Sequence, residues 1–119
     1  MGKRKTAAER ADDERRYALA RAARTDEDFE PLLVDPNQGI RSTAATNGSA
    51  SAAVLDRFAQ DTFWGVRVAV AQHPNTSRET LLGLLERDTR QRGVVHTETR
   101  RRLEADGVTF GDDGMPAVD

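Results

Sequence analysis

Two kinds of side chain in this sequence have the type and spacing to do chemistry: guanidinium groups and a tandem aromatic pair. Arg41 and Arg67 each follow an aspartate, Asp35 and Asp61, by six residues. Cations recurring on one surface can hold phosphate or carboxylate through charge-assisted, bidentate hydrogen bonds. The same recurrence also suits an intramolecular ladder, in which each arginine pairs with an aspartate that caps a helix start. Phe63-Trp64 is the aromatic pair. Trp and Arg dominate binding hot spots, so the pair is a candidate partner anchor, or else a wedge packed on the adjoining segment. Arg90, Arg92, Arg100, Arg101 and Arg102 form the densest basic cluster. Such a cluster releases counterions when laid on nucleic acid, and is otherwise a solvated helix face.

Catalytic and metal chemistry find no footing. His73 and His96 are the two histidines, and neither has a metal-spaced partner. His73 stands where Asn47 stands in an earlier copy of the same pattern, which points to a hydrogen bond at a helix end. No Ser/His/Asp arrangement, glycine-rich phosphate loop or carboxylate pair in an apolar setting stands out. Asp12-Asp13-Glu14 and Asp112-Asp113 are charge runs of the solvated kind. The expectation is a non-enzyme without metal or cofactor.

The elements that must position these residues are short and repeated. Ser77 is a good N-cap for a helix carrying Leu81, Leu82, Leu84 and Leu85, with Glu79 at its positive end. Before it, Val66 to Ala71 is a nearly all-apolar run closed by His73-Pro74-Asn75, which reads as a second helix. Helices this short are marginal alone, so each needs neighbours. The neighbour is a weaker copy from Asp35 to Asp61. Gly39 matches Gly65, Ile40-Arg41 matches Val66-Arg67, Ala44-Ala45 matches Val70-Ala71, and Val54-Leu55 matches Leu81-Leu82 after one inserted residue. Self-similarity at such a period marks stacked units that cannot bury their apolar faces singly.

Asp61, Val66-Arg67, Ala69-Val70-Ala71, His73-Pro74, Leu81/Leu82, Leu85 and Asp88 resemble the motif of the variant leucine-rich repeat family, a group of HEAT-like helical solenoids. The resemblance covers about residues 35–88. It implies units of one α-helix and one short, often 3₁₀, helix, stacked into a right-handed curved array. Some members of that family hold an iron–sulfur cluster on a separate cysteine-rich segment. This chain has no cysteine and cannot bind a cluster that way.

The predicted fold is therefore all-α: a short α-solenoid of two to three helical repeats preceded by an N-terminal helix. Residues 1–5 form a disordered basic tip, and Thr6 to Glu9 form a capping box that opens a helix reaching about Arg24. The helical domain spans 6–106, with a half-unit at 25–34, repeats at 35–60 and 61–87, and a degenerate polar cap at 88–106. Pro31 is placed in the first turn of the half-unit's helix, where proline is tolerated. In the cap, Gly93-Val94-Val95 is aligned with Gly65-Val66-Arg67, a polar helix runs from Thr97 to Leu103, and Gly107 ends it. Residues 107–119 are expected as a flexible acidic tail in which Val108 and Phe110 can fold back.

The chain has 119 residues, 5% aromatics and a net charge of −2. One thin, alanine-packed core fits that composition. Charge is segregated into alternating blocks, which suits complementarity between surfaces better than a continuous basic groove. No apolar run is long enough to span a membrane. The absence of cysteine suits a cytoplasmic location, and the Arg/Ala/Asp-rich composition suits a bacterial source. The expected function is a non-catalytic protein–protein interaction module, an adaptor or scaffold, with Phe63, Trp64, Arg67 and Arg41 contacting a protein partner on the concave face. Self-association through an exposed end is a further expectation. The alternatives are a nucleic-acid-binding module using the basic termini, and an antitoxin- or immunity-type binding partner.

Overall fold

Short helices build the architecture, and four of the seven among the described residues start at a hydroxyl cap. The structure, a computed structural model, describes residues 4–88 and 93–117. Over them the chain forms helices α1 (Ala7–Ala22), α2 (Asp26–Leu33), α3 (Gln38–Thr46), α4 (Ala52–Phe58), α5 (Trp64–Gln72), α6 (Arg78–Arg87) and α7 (Val94–Ala105). Thr25, Ser51 and Ser77 recur every 26 residues, and their side chains accept from the backbone N–H of Asp28, Val54 and Thr80. Each cap satisfies one of the unpaired donors of a helix start. The capping box predicted at Thr6 and Glu9 is present, and α2 carries a second one between Thr25 and Asp28. The Asp28 carboxylate accepts from the backbone N–H of Arg24 and of Thr25, which holds its pKa below the ordinary value.

The helices form two layers. In one, α1, α3, α5 and α7 lie side by side. In the other, α2, α4 and α6 each sit on the odd-numbered helix that follows them, α2 on α3, α4 on α5 and α6 on α7. The slab measures 56 × 37 × 17 Å, with a radius of gyration of 16.0 Å. A compact chain of this length would have about 13–14 Å, so the molecule is elongated, as a stacked array must be. The core divides by size. Ala20, Ala44, Ala45, Ala69 and Ala71 let the odd-numbered helices approach closely, and Phe29, Leu55, Phe58, Leu81, Leu84 and Leu85 fill the space between layers.

Four details differ from the sequence reading. Both helices of each repeat are α-helical, and no 3₁₀ segment occurs among the described residues. The helix expected to precede the array packs as its first member, because Arg16 and Ala20 of α1 occupy the register of Arg41 and Ala45 in α3 and of Arg67 and Ala71 in α5. Pro31 lies in the second turn of α2 rather than the first. It removes the hydrogen bond to Glu27 O within the helix, and both Glu27 and Pro31 are exposed residues. Finally, α7 begins at Val94 and buries Val95, His96, Thr99 and Leu103, more than a polar cap requires.

Gly107, at φ 97°, takes the left-handed conformation that ends α7. The stretch expected as a flexible tail has a defined course to residue 117. Gly111 N–H donates to Met115 O (2.9 Å), Ala117 N–H donates to Thr109 O (2.8 Å), and Phe110 bridges to Pro116. Val108, Phe110 and Met115 rest on the core.

The division of the core by size gives two substitutions of opposite sign. Ala45→Leu adds apolar volume but overpacks the odd-numbered layer, where Ala45 is fully buried, and should destabilise by about 1–3 kcal/mol. Gly83→Ala lies on the open face of α6, where an added Cβ meets nothing within 4 Å, and should stabilise by about 0.5–1 kcal/mol. Urea unfolding of the two variants checks both. Equal or reversed signs would contradict the layer assignment.

Candidate functional site

The recurring arginines, Arg16 of α1, Arg41 of α3 and Arg67 of α5, lie along one edge of the slab, and they are occupied. Arg41 donates from Nε and Nη2 to the two carboxylate oxygens of Asp61 (2.8 and 3.3 Å), and from Nη1 to the backbone carbonyl of Asp35 (2.6 Å). Arg67 repeats this one unit later, from Nε to Asp88 Oδ2 (3.0 Å) and from Nη1 to Asp61 O (2.7 Å). Arg16 opens the series with Nη1 to Asp35 Oδ1 (2.5 Å), and it also holds Asp12 and Asp13 of its own helix. The Asp35 and Asp61 carboxylates in turn accept from the backbone N–H of Asn37 and Phe63 (both 2.9 Å). Hydrogen bonds to Asp35, then to Asp12, strengthen the hold of the Arg16 guanidinium on its proton.

Of the two readings of the Asp–Arg recurrence, the structure shows the intramolecular ladder. Its direction is not the one that spacing suggests. Arg41 and Arg67 each grip the aspartate side chain of the next unit and touch their own unit's aspartate only through the backbone. Arg41 and Arg67 are 15% and 13% exposed at the side chain, with their donors turned inward. They staple units together and present no open anion site.

A second ladder runs along the opposite ends of the odd-numbered helices. Asn47 Nδ2 donates to Ala20 O and Ala23 O at the end of α1 (both 2.9 Å). His73 takes the same place one unit later. Its Nδ1 accepts from the Asn75 N–H (3.0 Å), so the ring proton sits on Nε2 and is donated to Asn47 O (2.8 Å). Arg102 closes the series, reaching His73 O (2.5 Å) and Pro74 O (3.2 Å). The equivalence of Asn47 and His73 is visible in sequence. Arg102 is not, because α7 enters with a shifted register.

That register places Val95 where Val66 stands and His96 where Arg67 stands, one position from the alignment expected at Gly93. His96 therefore occupies the arginine position of the ladder. It is 1% exposed, and neither ring nitrogen has a hydrogen-bond partner among the described residues.

The basic cluster is partnered as well. Arg100 stacks 4.8 Å over the Phe110 ring and lies 3.5 Å from Glu104, Arg101 pairs with Glu98 at 3.4 Å, and Arg102 pairs with Asp106 at 3.3 Å. Arg90 and Arg92 lie outside the described residues. The aromatic pair divides in two. Phe63 is half-buried against the core, and its ring lies over Gly65, where an added Cβ would approach it to 2.6 Å. Trp64 is 53% exposed, tilted at 50° to Phe63 with ring centroids 5.5 Å apart. Beside it Val94 is 45% exposed, and the two line a shallow depression of about 230 Å³. Among the described residues no group of His, Asp or Glu could hold a metal ion, and no helix is long and apolar enough to cross a membrane.

Residues 64–88, from the start of α5 to the ladder aspartate Asp88, match the family model described as leucine rich repeat variant. No curated protein and no solved structure matches the chain.

The two ladders give stability predictions. Arg41→Ala leaves the Asp61 carboxylate without its fork and should cost about 3 kcal/mol. Arg41→Lys, with one ammonium in place of a planar fork, should recover less than half of that loss. His96→Leu removes two unpaired buried nitrogens and should raise stability by about 1 kcal/mol. Chemical unfolding decides, and a loss of stability in His96→Leu would mean that the imidazole has a partner.

Proposed function

We propose that this array is a non-catalytic protein-interaction module acting in the bacterial cytoplasm. Its repeat at 64–88 matches the leucine rich repeat variant, and repeats of this kind support a binding role. The observation that carries the contact site is Trp64, the one tryptophan of the chain, half in water at the edge of the central repeat. The equivalent residue of the preceding repeat is Gln38, so stacking does not require an aromatic there. A rigid indole with two rotatable bonds loses little entropy on docking and buries a large area, which is why tryptophan is common among anchors. Val94 extends the apolar patch. Phe63 supports the indole from beneath, and Arg67 and Arg41 hold the edge in shape rather than contacting the partner.

Recognition of this kind is dominated by apolar contact and shape. The ladder arginines and the arginines of α7 are partnered within the chain, which weighs against a nucleic-acid surface. Affinity should therefore change little between low and moderate salt, whereas a phosphate-binding surface loses affinity steeply.

Affinity capture with the wild-type chain and with Trp64→Ala tests the proposal. The expected result is a protein partner that withstands nuclease and moderate salt, and whose affinity falls at least tenfold in Trp64→Ala with the melting curve unchanged. A partner held equally well by the variant would remove Trp64 from the contact. Recovery of nucleic acid would replace the protein-binding reading.

A further inference from the structure

Asn47 and Gly48 form the one asparagine–glycine step of the chain; Asn37 and Asn75 precede glutamine and threonine. In such a step the glycine nitrogen can attack the asparagine Cγ, because no Cβ on the glycine hinders the approach. Here the nucleophile is free. Gly48 is exposed, and its N–H has no hydrogen-bond partner among the described residues.

The group it would attack is held. Asn47 is the rung of the second ladder that joins α3 to α1. Its Nδ2 donates to Ala20 O and Ala23 O (both 2.9 Å), with Arg21 O at 3.3 Å, and its Oδ1 accepts from the Ser49 N–H (2.8 Å). Its backbone carbonyl accepts from His73 Nε2 (2.8 Å). With these bonds in place ψ of Asn47 is 123°, which turns the Gly48 nitrogen to the side of Cα away from Cβ. The five-membered ring closes only when that nitrogen lies on the same side as Cβ. Rotating the peptide there takes the carbonyl away from His73, and bringing Cγ onto the nitrogen withdraws Nδ2 from α1. The ring therefore cannot form while the rung is made.

We propose that Asn47 is a deamidation site gated by the stack, silent while the joint between α1 and α3 is closed and reactive when that joint opens. Opening of this kind is a local event that needs no global unfolding. The Gly48 nitrogen loses its proton to hydroxide and bonds to Cγ; the Cγ–Nδ2 bond breaks and Nδ2 takes a proton from water and leaves as ammonia. Water then opens the succinimide at either carbonyl, which leaves aspartate or isoaspartate at position 47. Both products lack the amide donors and set a carboxylate against the carbonyl oxygens of Ala20, Arg21 and Ala23, which lose their partner. The joint cannot close again as before. A transient opening is thereby recorded as a permanent one.

Peptide mass spectrometry after incubation at mildly alkaline pH reads the conversion, with a synthetic peptide of residues 43–52 as the ungated reference. Asn47 should convert at least tenfold more slowly in the folded chain than in the peptide. Arg16→Ala removes the staple to Asp35 on the other edge of the same joint and should speed conversion severalfold. Wild-type chain in urea below its unfolding transition should show the same acceleration, which covers the case of a variant that folds poorly. Gly48→Ala should suppress conversion with the melting curve unchanged, since the added Cβ meets nothing within 4 Å. Asn47→Asp, one of the two products, should melt at a lower temperature and exchange its α1 amide protons faster than wild type. Equal conversion in chain and peptide, or a rate that neither Arg16→Ala nor urea raises, overturns the gate. An Asn47→Asp chain that melts and exchanges like wild type overturns the consequence drawn for the joint.

Discussion

Short helices carry a geometric debt that everything else in this molecule answers. An α-helix leaves four N–H groups at its start and four C=O groups at its end without partners inside the helix. In α4, with seven residues, and in α3 and α5, with nine each, end groups outnumber internal hydrogen bonds. Apolar burial cannot stabilise such helices unless those groups are satisfied elsewhere. The hydroxyls at Thr25, Ser51 and Ser77 serve the starts of the even-numbered helices. The ends of the odd-numbered helices are served by side chains of the following unit, Asn47 on the carbonyls of α1, His73 on Asn47, and Arg102 on His73 and Pro74. Satisfying one unit's backbone thus requires the next unit, which makes stacking a condition of folding rather than a consequence of it.

The Arg–Asp ladder adds orientation to this dependence. A planar guanidinium with donors on two edges can hold a carboxylate of the next unit and a carbonyl of its own at once, as Arg41 does with Asp61 and Asp35. That fixes the angle between successive units more tightly than apolar packing, which is non-directional. It also empties the surface of free charge where the sequence seemed to offer it. The recognition proposed for this array therefore rests on exposed apolar side chains and on shape.

Much of this was legible before any coordinates, and the limits of legibility have physical causes. The hydroxyl caps, the Asp–Arg recurrence and the Asn47–His73 equivalence show in sequence because they are local or strictly periodic. The partner of each arginine does not, since a six-residue spacing to the preceding aspartate looks like a pair while the true partner lies 20 or 21 residues ahead. The first repeat was hidden because α1 keeps the ladder position at Arg16 but replaces the apolar residue beside it with Arg15. Helix α7 was expected from Thr97 to Leu103 but with its register one residue off, because the spacing to the preceding repeat changes and His96 takes the arginine's place. Among the candidate contacts, Trp64 stands out in sequence by its departure from the repeat.

His96 shows how the array closes at its far end. An arginine at that position would need a carboxylate in a further unit, and burying its fixed charge unpaired would be far more costly than burying an imidazole. Imidazole is the compromise: it keeps a polar side chain at the ladder position without the guanidinium's fixed charge. Beyond α7 the chain folds back, with Val108, Phe110 and Met115 on the core and the Phe110 ring beneath the Arg100 guanidinium. The ladder ends where its arginine is replaced, and the cost of two unpaired nitrogens is the penalty for terminating a structure whose every other unit is completed by its successor.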